Sequence, residues 1–297
     1  ENLFATLTGY AGTGKTTITK EFIKQCKFKY GIVVSAPTHK AKKVIERATN
    51  LTSYTIQKLL GLRPNTDLDD FDINFPQFDT TAETEIQYQK LLIIDEASML
   101  NTDLFDLICK EADRYNVKVL FIGDNFQLPP VNEIESKIFT HVKNIYSLTI
   151  IVRQKDTNPL ADLLITIRND IQNNTNTFEK LLEFCPNNIN ENNEGYMNLT
   201  GYEFQEKMKE EFTSTEYLNN KDYCKYGAWT NNSIQGSNKM IRSFLTNSDE
   251  ILIQGDTLMG YKTITDQYNG VFITNSEEYI IHTIEKYISN FLIDGYK

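Results

Sequence analysis

The sequence predicts an open α/β fold, and three observations predict it. A glycine-rich loop, Gly9-Tyr10-Ala11-Gly12-Thr13-Gly14-Lys15-Thr16, lies between an apolar run, Leu3-Phe4-Ala5-Thr6-Leu7, and a helical pattern over residues 16–26. Short apolar runs recur at Ile32-Val33-Val34, Leu91-Leu92-Ile93-Ile94 and Val119-Leu120-Phe121-Ile122, as expected of strands buried on both faces of a parallel sheet. Helical patterns separate these runs, which the crossovers of a parallel sheet require.

With 297 residues there is room for two domains, each with a core of its own. The net charge of −10 excludes a generally basic nucleic-acid binder, so any nucleic acid must be held in a local groove. Cys26, Cys109, Cys185 and Cys224 are scattered without Cys-x-x-Cys spacing and read as free thiols in a reducing compartment. No apolar run is long enough to span a membrane and no secretory signal opens the sequence, so a cytosolic location without membrane contact is expected. The chain enters a strand almost at once and stops soon after the strand-like Glu278-Tyr279-Ile280-Ile281-His282, and is expected to be part of something longer.

The first loop carries the chemistry. Gly9, four residues, then Gly14-Lys15-Thr16 is the spacing of a phosphate cradle between strand and helix. Gly9, Gly12 and Gly14 permit turns closed to larger residues, so successive N–H groups converge on phosphate oxygens at a helix N-terminus. The cradle comprises Gly9, Ala11, Gly12, Thr13, Gly14, Lys15, Thr16 and Thr17. Lys15 is suited to the β- and γ-phosphates of ATP, and the Thr16 hydroxyl to a Mg²⁺ ion.

A second β-α step comes next. Gly31 to Ala36 reads as a buried strand ended by Pro37, and Thr38 as the N-cap of a helix over residues 39–48 with Lys40, Lys42, Lys43 and Arg47 on exposed positions. Residues 55–62 read as one short helix. Residues 64–90 are acid-rich, with short β-compatible pieces at 71–78 and 85–88, and read as a small hairpin or as a disordered acidic loop. The run from Leu91 to Ile94 delivers Asp95 and Glu96 to the end of a strand, where ligands bind in open α/β sheets. Beside a phosphate loop, Asp95 is suited to hold Mg²⁺ through water and Glu96 to deprotonate an attacking water.

A helix over residues 101–115 leads to a strand over 117–122 and the loop Gly123-Asp124-Asn125-Phe126-Gln127-Leu128-Pro129-Pro130. The Gln127 amide can donate to a γ-phosphate oxygen and accept from water, which suits a sensor of the bound nucleotide, or the segment is an ordinary turn. Leu148 to Gln154 ends the first domain, and Arg153 is either a surface ion-pair residue or a group that stabilises a transferring phosphoryl. Asn158-Pro159 starts a helix running to about Arg168, residues 173–198 are asparagine-rich and read as loop, residues 226–231 read as a strand, and 233–244 as a helix. Residues 255–259 and 269–273 read as turns and strands.

Together these motifs resemble the superfamily 1 DNA helicases that move 5′ to 3′, the RecD and Dda group, Dda-type phage helicases above all. The pieces that carry the resemblance are Gly9 to Thr16, Ala36-Pro37-Thr38-His39-Lys40-Ala41, Thr55 to Leu62, Ile94-Asp95-Glu96-Ala97-Ser98-Met99, Gly123-Asp124 through Gln127 to Val131, Arg153-Gln154, and Trp229-Thr230-Asn231 with Asn238 and Arg242. Their order and spacing are those of the family. The resemblance implies two RecA-like P-loop NTPase domains with the nucleotide between them: a first over 1–64 and 91–152, a small duplex-splitting β-hairpin insertion over 65–90, an incomplete second over 153–260, and the start of a β-rich insertion over 261–297.

It further implies ATP and Mg²⁺ as cofactors, with Lys15, Glu96, Gln127 and Arg153 catalytic, Thr16 and Asp95 on the metal, and Thr38, His39, Lys40, Gln57, Thr230 and Asn231 on DNA. Single-stranded and forked duplex DNA, with replication or recombination proteins, are the implied partners, in a bacterial or phage-infected cell. The alternatives are a nucleotide-gated binding or packaging ATPase without unwinding, and an RNA-directed helicase of the same superfamily. The family's adenine-reading glutamine motif ahead of the loop and its two last motifs do not occur between Glu1 and Lys297.

Overall fold

A computed structural model of the chain describes residues 3–28, 30–64, 78–80, 83–150, 152, 158–246, 248, 250–260, 264–265, 271–273, 278–288 and 294–296. The chain divides into two units, Glu1–Asp156 with Gly260–Glu277, and Thr157–Met259 with Glu278–Lys297.

The first unit is the α/β body that the apolar runs predict. In chain order it holds β1 (Phe4–Gly9), α1 (Lys15–Gln25), β2 (Ile32–Ala36), α2 (His39–Thr49), β3 (Ser53–Thr55), α3 (Ile56–Leu59), β4 (Leu62–Pro64), β5 (Phe78–Thr80), β6 (Leu91–Ile94), α4 (Thr102–Tyr115), β7 (Lys118–Gly123) and β8 (Asn144–Leu148). Six strands form one sheet in the order β3-β2-β6-β7-β1-β8, and every pairing is parallel. Residues alternate between two cores. Leu92, Ile94, Val119 and Phe121 face α4 with Phe105, Ile108 and Ala112, whereas Leu91, Ile93 and Ile122 pack with Ile45 of α2 and Ile23 of α1. Burial on both faces explains why these strands read as continuous apolar runs. Truncating one of their fully buried isoleucines to alanine costs about 2–5 kcal/mol.

Register then places the functional loops. Thr8 pairs with Gly123, Ile94 with Phe121, and Gly9 with Leu148, so β1, β6, β7 and β8 all end along one edge. Beneath that edge the segment after β7 is fastened by buried hydroxyls: Thr6 Oγ1 donates to Ile138 O (2.8 Å) and Ser136 Oγ to Leu100 O (2.9 Å). Glu133 accepts from the Thr102 N–H (2.8 Å) and so caps α4 from across the fold.

Several local expectations need correction. Residues 55–62 are not one helix, because Ser53–Thr55 pairs with β2 and Gly61, at φ 65°, turns the chain into β4. The β-compatible piece at 85–88 is a 3₁₀ turn, since Ile86 is fully buried and Thr84 Oγ1 both accepts from its N–H and donates to Leu59 O. β4 and β5 do form an antiparallel pair, Leu62 with Thr80, while residues 65–77 lie outside the described residues.

The second unit is mainly helical, with α5 (Pro159–Asn173), α6 (Thr177–Phe184), β9 (Asn187–Ile189), β10 (Gly195–Met197), α7 (Gly201–Phe212), α8 (Thr215–Asn219) and α9 (Asn231–Leu245). Among its described residues the strands form two-stranded antiparallel pairs: β9 with β10, Thr257–Met259 with Glu278–Ile280, and Lys286–Ile288 with Asp294–Tyr296. The asparagine-rich stretch read as loop contains α6 and the β9–β10 hairpin, and α5 runs past Arg168 to Asn173. Residues 226–231 are not a strand: no described strand runs beside them, and Thr230 caps α9 by accepting from the Ser233 N–H (3.2 Å). Of residues 269–273, Val271–Ile273 is a strand and the first two lie outside the described residues. No helix among the described residues is long and apolar enough to cross a membrane.

Asp170 explains the turn from α5 into α6. Its carboxylate accepts from the hydroxyls of Thr175 and Thr177 (both 2.6 Å) and from the Phe178 N–H (2.8 Å). Burial alone would push its pKa up, but these hydrogen bonds outweigh burial and hold it well below the usual carboxylate range. A depressed folded-state pKa means stability that is present above the unfolded value of about 3.9 and lost as pH falls below it. Asp170→Asn should therefore lower the thermal midpoint of the chain at pH 7 and lower it by a smaller amount at pH 3, measured by circular dichroism. Equal shifts at both pH values would count against this role.

Candidate active site

At the carboxyl edge of the sheet, β1 runs into the glycine loop and α1 starts at Lys15. Gly14 precedes the helix at φ 86°, Gly12 sits at φ 81°, and a Cβ built on Gly14 meets nothing within 4 Å. Both conformations are strained for other residues, and the space over Gly14 leaves the first amides of α1 open to a ligand. Gly9 is constrained by packing instead, since a Cβ there would stand 2.8 Å from Thr13 Oγ1 and 2.9 Å from Leu148 Cβ. The loop is closed on itself by Thr13, whose N–H and hydroxyl both donate to Tyr10 O (3.2 and 2.8 Å). The Val152 N–H donates to Gly12 O (2.8 Å), which ties the chain just before Arg153 to the crest of the loop.

Lys15 turns back over this loop. Its ammonium donates to Gly9 O (2.6 Å) and Tyr10 O (3.0 Å). Asp95 and Glu96 follow β6, two strands away. The Asp95 N–H donates to Ser35 O (2.9 Å) and its Oδ1 accepts from the Glu96 N–H (3.0 Å). Glu96 adopts a left-handed conformation, φ 52° and ψ 34°. For a non-glycine residue this costs roughly 1–2 kcal/mol, and such strain concentrates at functional sites.

The electrostatics couple these groups. Burial pushes the Asp95 carboxyl up, with the Glu96 N–H and the Lys15 charge pulling it partly back. Glu96 is raised by burial first and then by the Asp95 charge; Lys15 lowers it and Asp124 adds to the rise. The structure thus brings Lys15, Asp95 and Glu96 together, with Asp124 as a fourth member to which sequence reasoning gave no role. The available signal was its place after β7, the strand next to β1. Asp124 is 1% exposed, and its Oδ1 accepts from the Phe126 N–H (3.0 Å). Thr16 and Thr17 stand in the first turn of α1, half-buried and exposed. Thr8 and Ser98 contribute buried hydroxyls without a hydrogen-bond partner among the described residues, one just before the loop and one two residues after Glu96.

The remaining expected residues are spread more widely. Gln127 is exposed, with its N–H donating to Asp124 O (3.1 Å). Thr38 caps α2, accepting from the Ala41 N–H (3.2 Å), and His39 and Lys40 are the first residues of that helix, their side chains outside the described residues. Gln57 is half-buried on α3. Thr230 caps α9 in the second unit, followed by an exposed Asn231. Arg153 and Gln154 lie outside the described residues.

The AAA domain family profile matches residues 1–182. A protein of Acanthamoeba polyphaga mimivirus is 28% identical over 93% of this chain and 60% of its own length. The ATP-dependent DNA helicase dda of Enterobacteria phage T4 is 27% identical over 89% of this chain and 57% of its own. The ATP-dependent RecD2 DNA helicase of Deinococcus radiodurans is 33% identical over 52% of this chain and 20% of its own. The chain therefore spans less than two thirds of the length of these relatives. The resemblance drawn from motif order agrees with them.

The paired carboxylates make a measurable prediction. A carbon-detected NMR titration should find the Glu96 carboxyl above the ordinary glutamate range, and Asp95→Asn should move it down by removing the neighbouring charge. A wild-type midpoint within or below the ordinary range would contradict the site as described.

Proposed function

The chain belongs to the AAA domain family matched over residues 1–182, and from that membership we propose that it is the nucleotide-hydrolysing part of an ATP-driven DNA helicase. The observation that carries the reading is the meeting of Lys15, Asp95 and Glu96 beside an open glycine loop. The motor moves 5′ to 3′ along single-stranded DNA and separates forked duplex.

The residues present fit Mg·ATP. Thr16 and Asp95 offer the hard oxygen donors that Mg²⁺ prefers, and the buried hydroxyls of Thr8 and Ser98 have hydrogen-bonding capacity left for a hydrated ligand. When bound, Mg²⁺ supplies charge neutralisation at the β- and γ-phosphates. Lys15 exchanges the carbonyls of Gly9 and Tyr10 for phosphate oxygens, and the open amides over Gly14 join it. Glu96, whose carboxyl is pushed up from the ordinary glutamate value by burial and the Asp95 charge, takes the proton of the attacking water. Gln127 orients that water and reports the state of the nucleotide. Arg153 stabilises charge on the transferring phosphoryl, and the Val152–Gly12 hydrogen bond supports this by holding the preceding residue at the loop.

On the DNA side the proposed contacts are Thr38, His39, Lys40 and Gln57 in the first unit and Thr230 and Asn231 in the second. The two threonine hydroxyls already serve as helix caps, so these positions offer helix N-termini to backbone phosphates as much as side chains. The β4–β5 pair starts the element that parts the duplex, and replication or recombination proteins are the proposed partners.

Lys15→Ala should abolish nucleotide binding while leaving the circular dichroism spectrum intact, and undiminished hydrolysis in the folded variant would remove Lys15 from the site. Glu96→Gln should bind nucleotide as the wild type does and turn over roughly 10²-fold more slowly, the usual worth of a positioned acid–base group; a parallel loss of binding would make Glu96 a ligand rather than the base. Strand displacement on duplexes with 5′ or 3′ tails tests the motor. Unwinding of 5′-tailed DNA is expected; hydrolysis without displacement would mean a nucleotide-gated binding protein, and preference for RNA an RNA-directed enzyme.

A further inference from the structure

The glycine loop and the Gln127 loop touch through two rings. Tyr10 meets Phe126 edge to face, with ring centroids 6.1 Å apart and planes at 69°. Both residues are half-buried. Between Gly9 and Gly14 the sequence is Tyr-Ala-Gly-Thr, so Tyr10 carries the one aromatic side chain in a loop of otherwise small residues. Its ring lies against the neighbouring loop.

The backbones on either side of this contact are committed. Tyr10 O accepts the Lys15 ammonium (3.0 Å) as well as Thr13, so it is a carbonyl that Lys15 gives up when the ammonium turns to a phosphate. Phe126 hangs from the buried Asp124 carboxylate through its N–H (3.0 Å), and the next residue, Gln127, hangs from Asp124 O (3.1 Å). Pro129 and Pro130 stiffen the far end of the same loop. The ring contact is therefore a lateral link between the carbonyl that releases Lys15 and the residue beside Gln127, in a pair geometry favoured by ring quadrupoles.

We propose that Tyr10 and Phe126 are a positioning pair that sets the Gln127 loop against the glycine loop and passes nucleotide binding from one to the other. The proposal rests on the nucleotide reading above. The pair acts through Gln127 and not on the nucleotide itself.

Hydrogen exchange on the whole chain, with and without Mg²⁺ and a non-hydrolysable ATP analogue, tests it. In the wild type the analogue should slow amide exchange in residues 9–16 and in residues 124–131. Tyr10→Ala and Phe126→Ala should keep the first effect and lose the second, whereas Tyr10→Phe and Phe126→Tyr, which retain the rings, should keep both. The alanine variants should lose roughly 2- to 10-fold in kcat, the scale of one aromatic pair, at unchanged KM for ATP. The double alanine variant should be no worse than either single one. Slowing at 124–131 in the alanine variants, losses that add, or a wild type protected at 9–16 alone would each overturn the coupling. A wild type unprotected at 9–16 would overturn the nucleotide reading and the coupling with it.

Discussion

One ammonium set among three partly or fully buried carboxylates is the interaction on which the first unit depends. Charge withdrawn from water is costly unless it is paired and hydrogen-bonded, and Lys15 is the shared counter-charge for Asp95 and Glu96. No local motif can assemble that group, because its members lie at the ends of three different strands. A parallel sheet ends adjacent strands on one edge, and the order β3-β2-β6-β7-β1-β8 seats β7 between the strand that carries Lys15 and the strand that carries the two acids. The two-faced core beneath is the cost of keeping that register: a one-residue slip in β6 would exchange Ile93 with Ile94 between cores and carry Asp95 inward.

Much of this was legible in the sequence, for physical reasons that differ by element. The strands β2, β6 and β7 announced themselves because burial on both faces leaves no polar alternation to confuse them. α4 was bounded by Asn101, which caps it through the Leu104 N–H, and by Asn116, whose left-handed conformation ends it. β8 was overlooked because its residues, Asn-Ile-Tyr-Ser-Leu, lie at the sheet edge and are mostly exposed, so they carry little apolar signal. α6 was hidden in asparagine-rich sequence, and its start is stabilised by the Asp170 carboxylate seven and eight residues away rather than by its own composition.

The site divides in the same way. Gly9 to Thr16 and the Asp95–Glu96 pair are contiguous and could be read directly, whereas Asp124 matters only because β7 lies beside β1. The Val152–Gly12 hydrogen bond and the Tyr10–Phe126 contact join residues far apart in sequence and leave no trace in any single window. The same holds for Glu133, which caps α4 at Thr102 from 31 positions further on.

The position of β1 in the sheet bears on how the protein is made. β1 pairs with β7 and β8 and not with β2, so Phe4 must wait for Val119, and Ala5 for Asn144, before either side of the strand is covered. At ribosomal rates of roughly 5–20 residues per second, that leaves a sticky apolar segment unpaired for on the order of ten seconds on every nascent chain. The glycine loop inherits the delay, since Gly12 is fastened only when Val152 arrives. The first-made strand of this sheet is thus among the last to be covered, and the interval before closure is when chaperones have most reason to attend it.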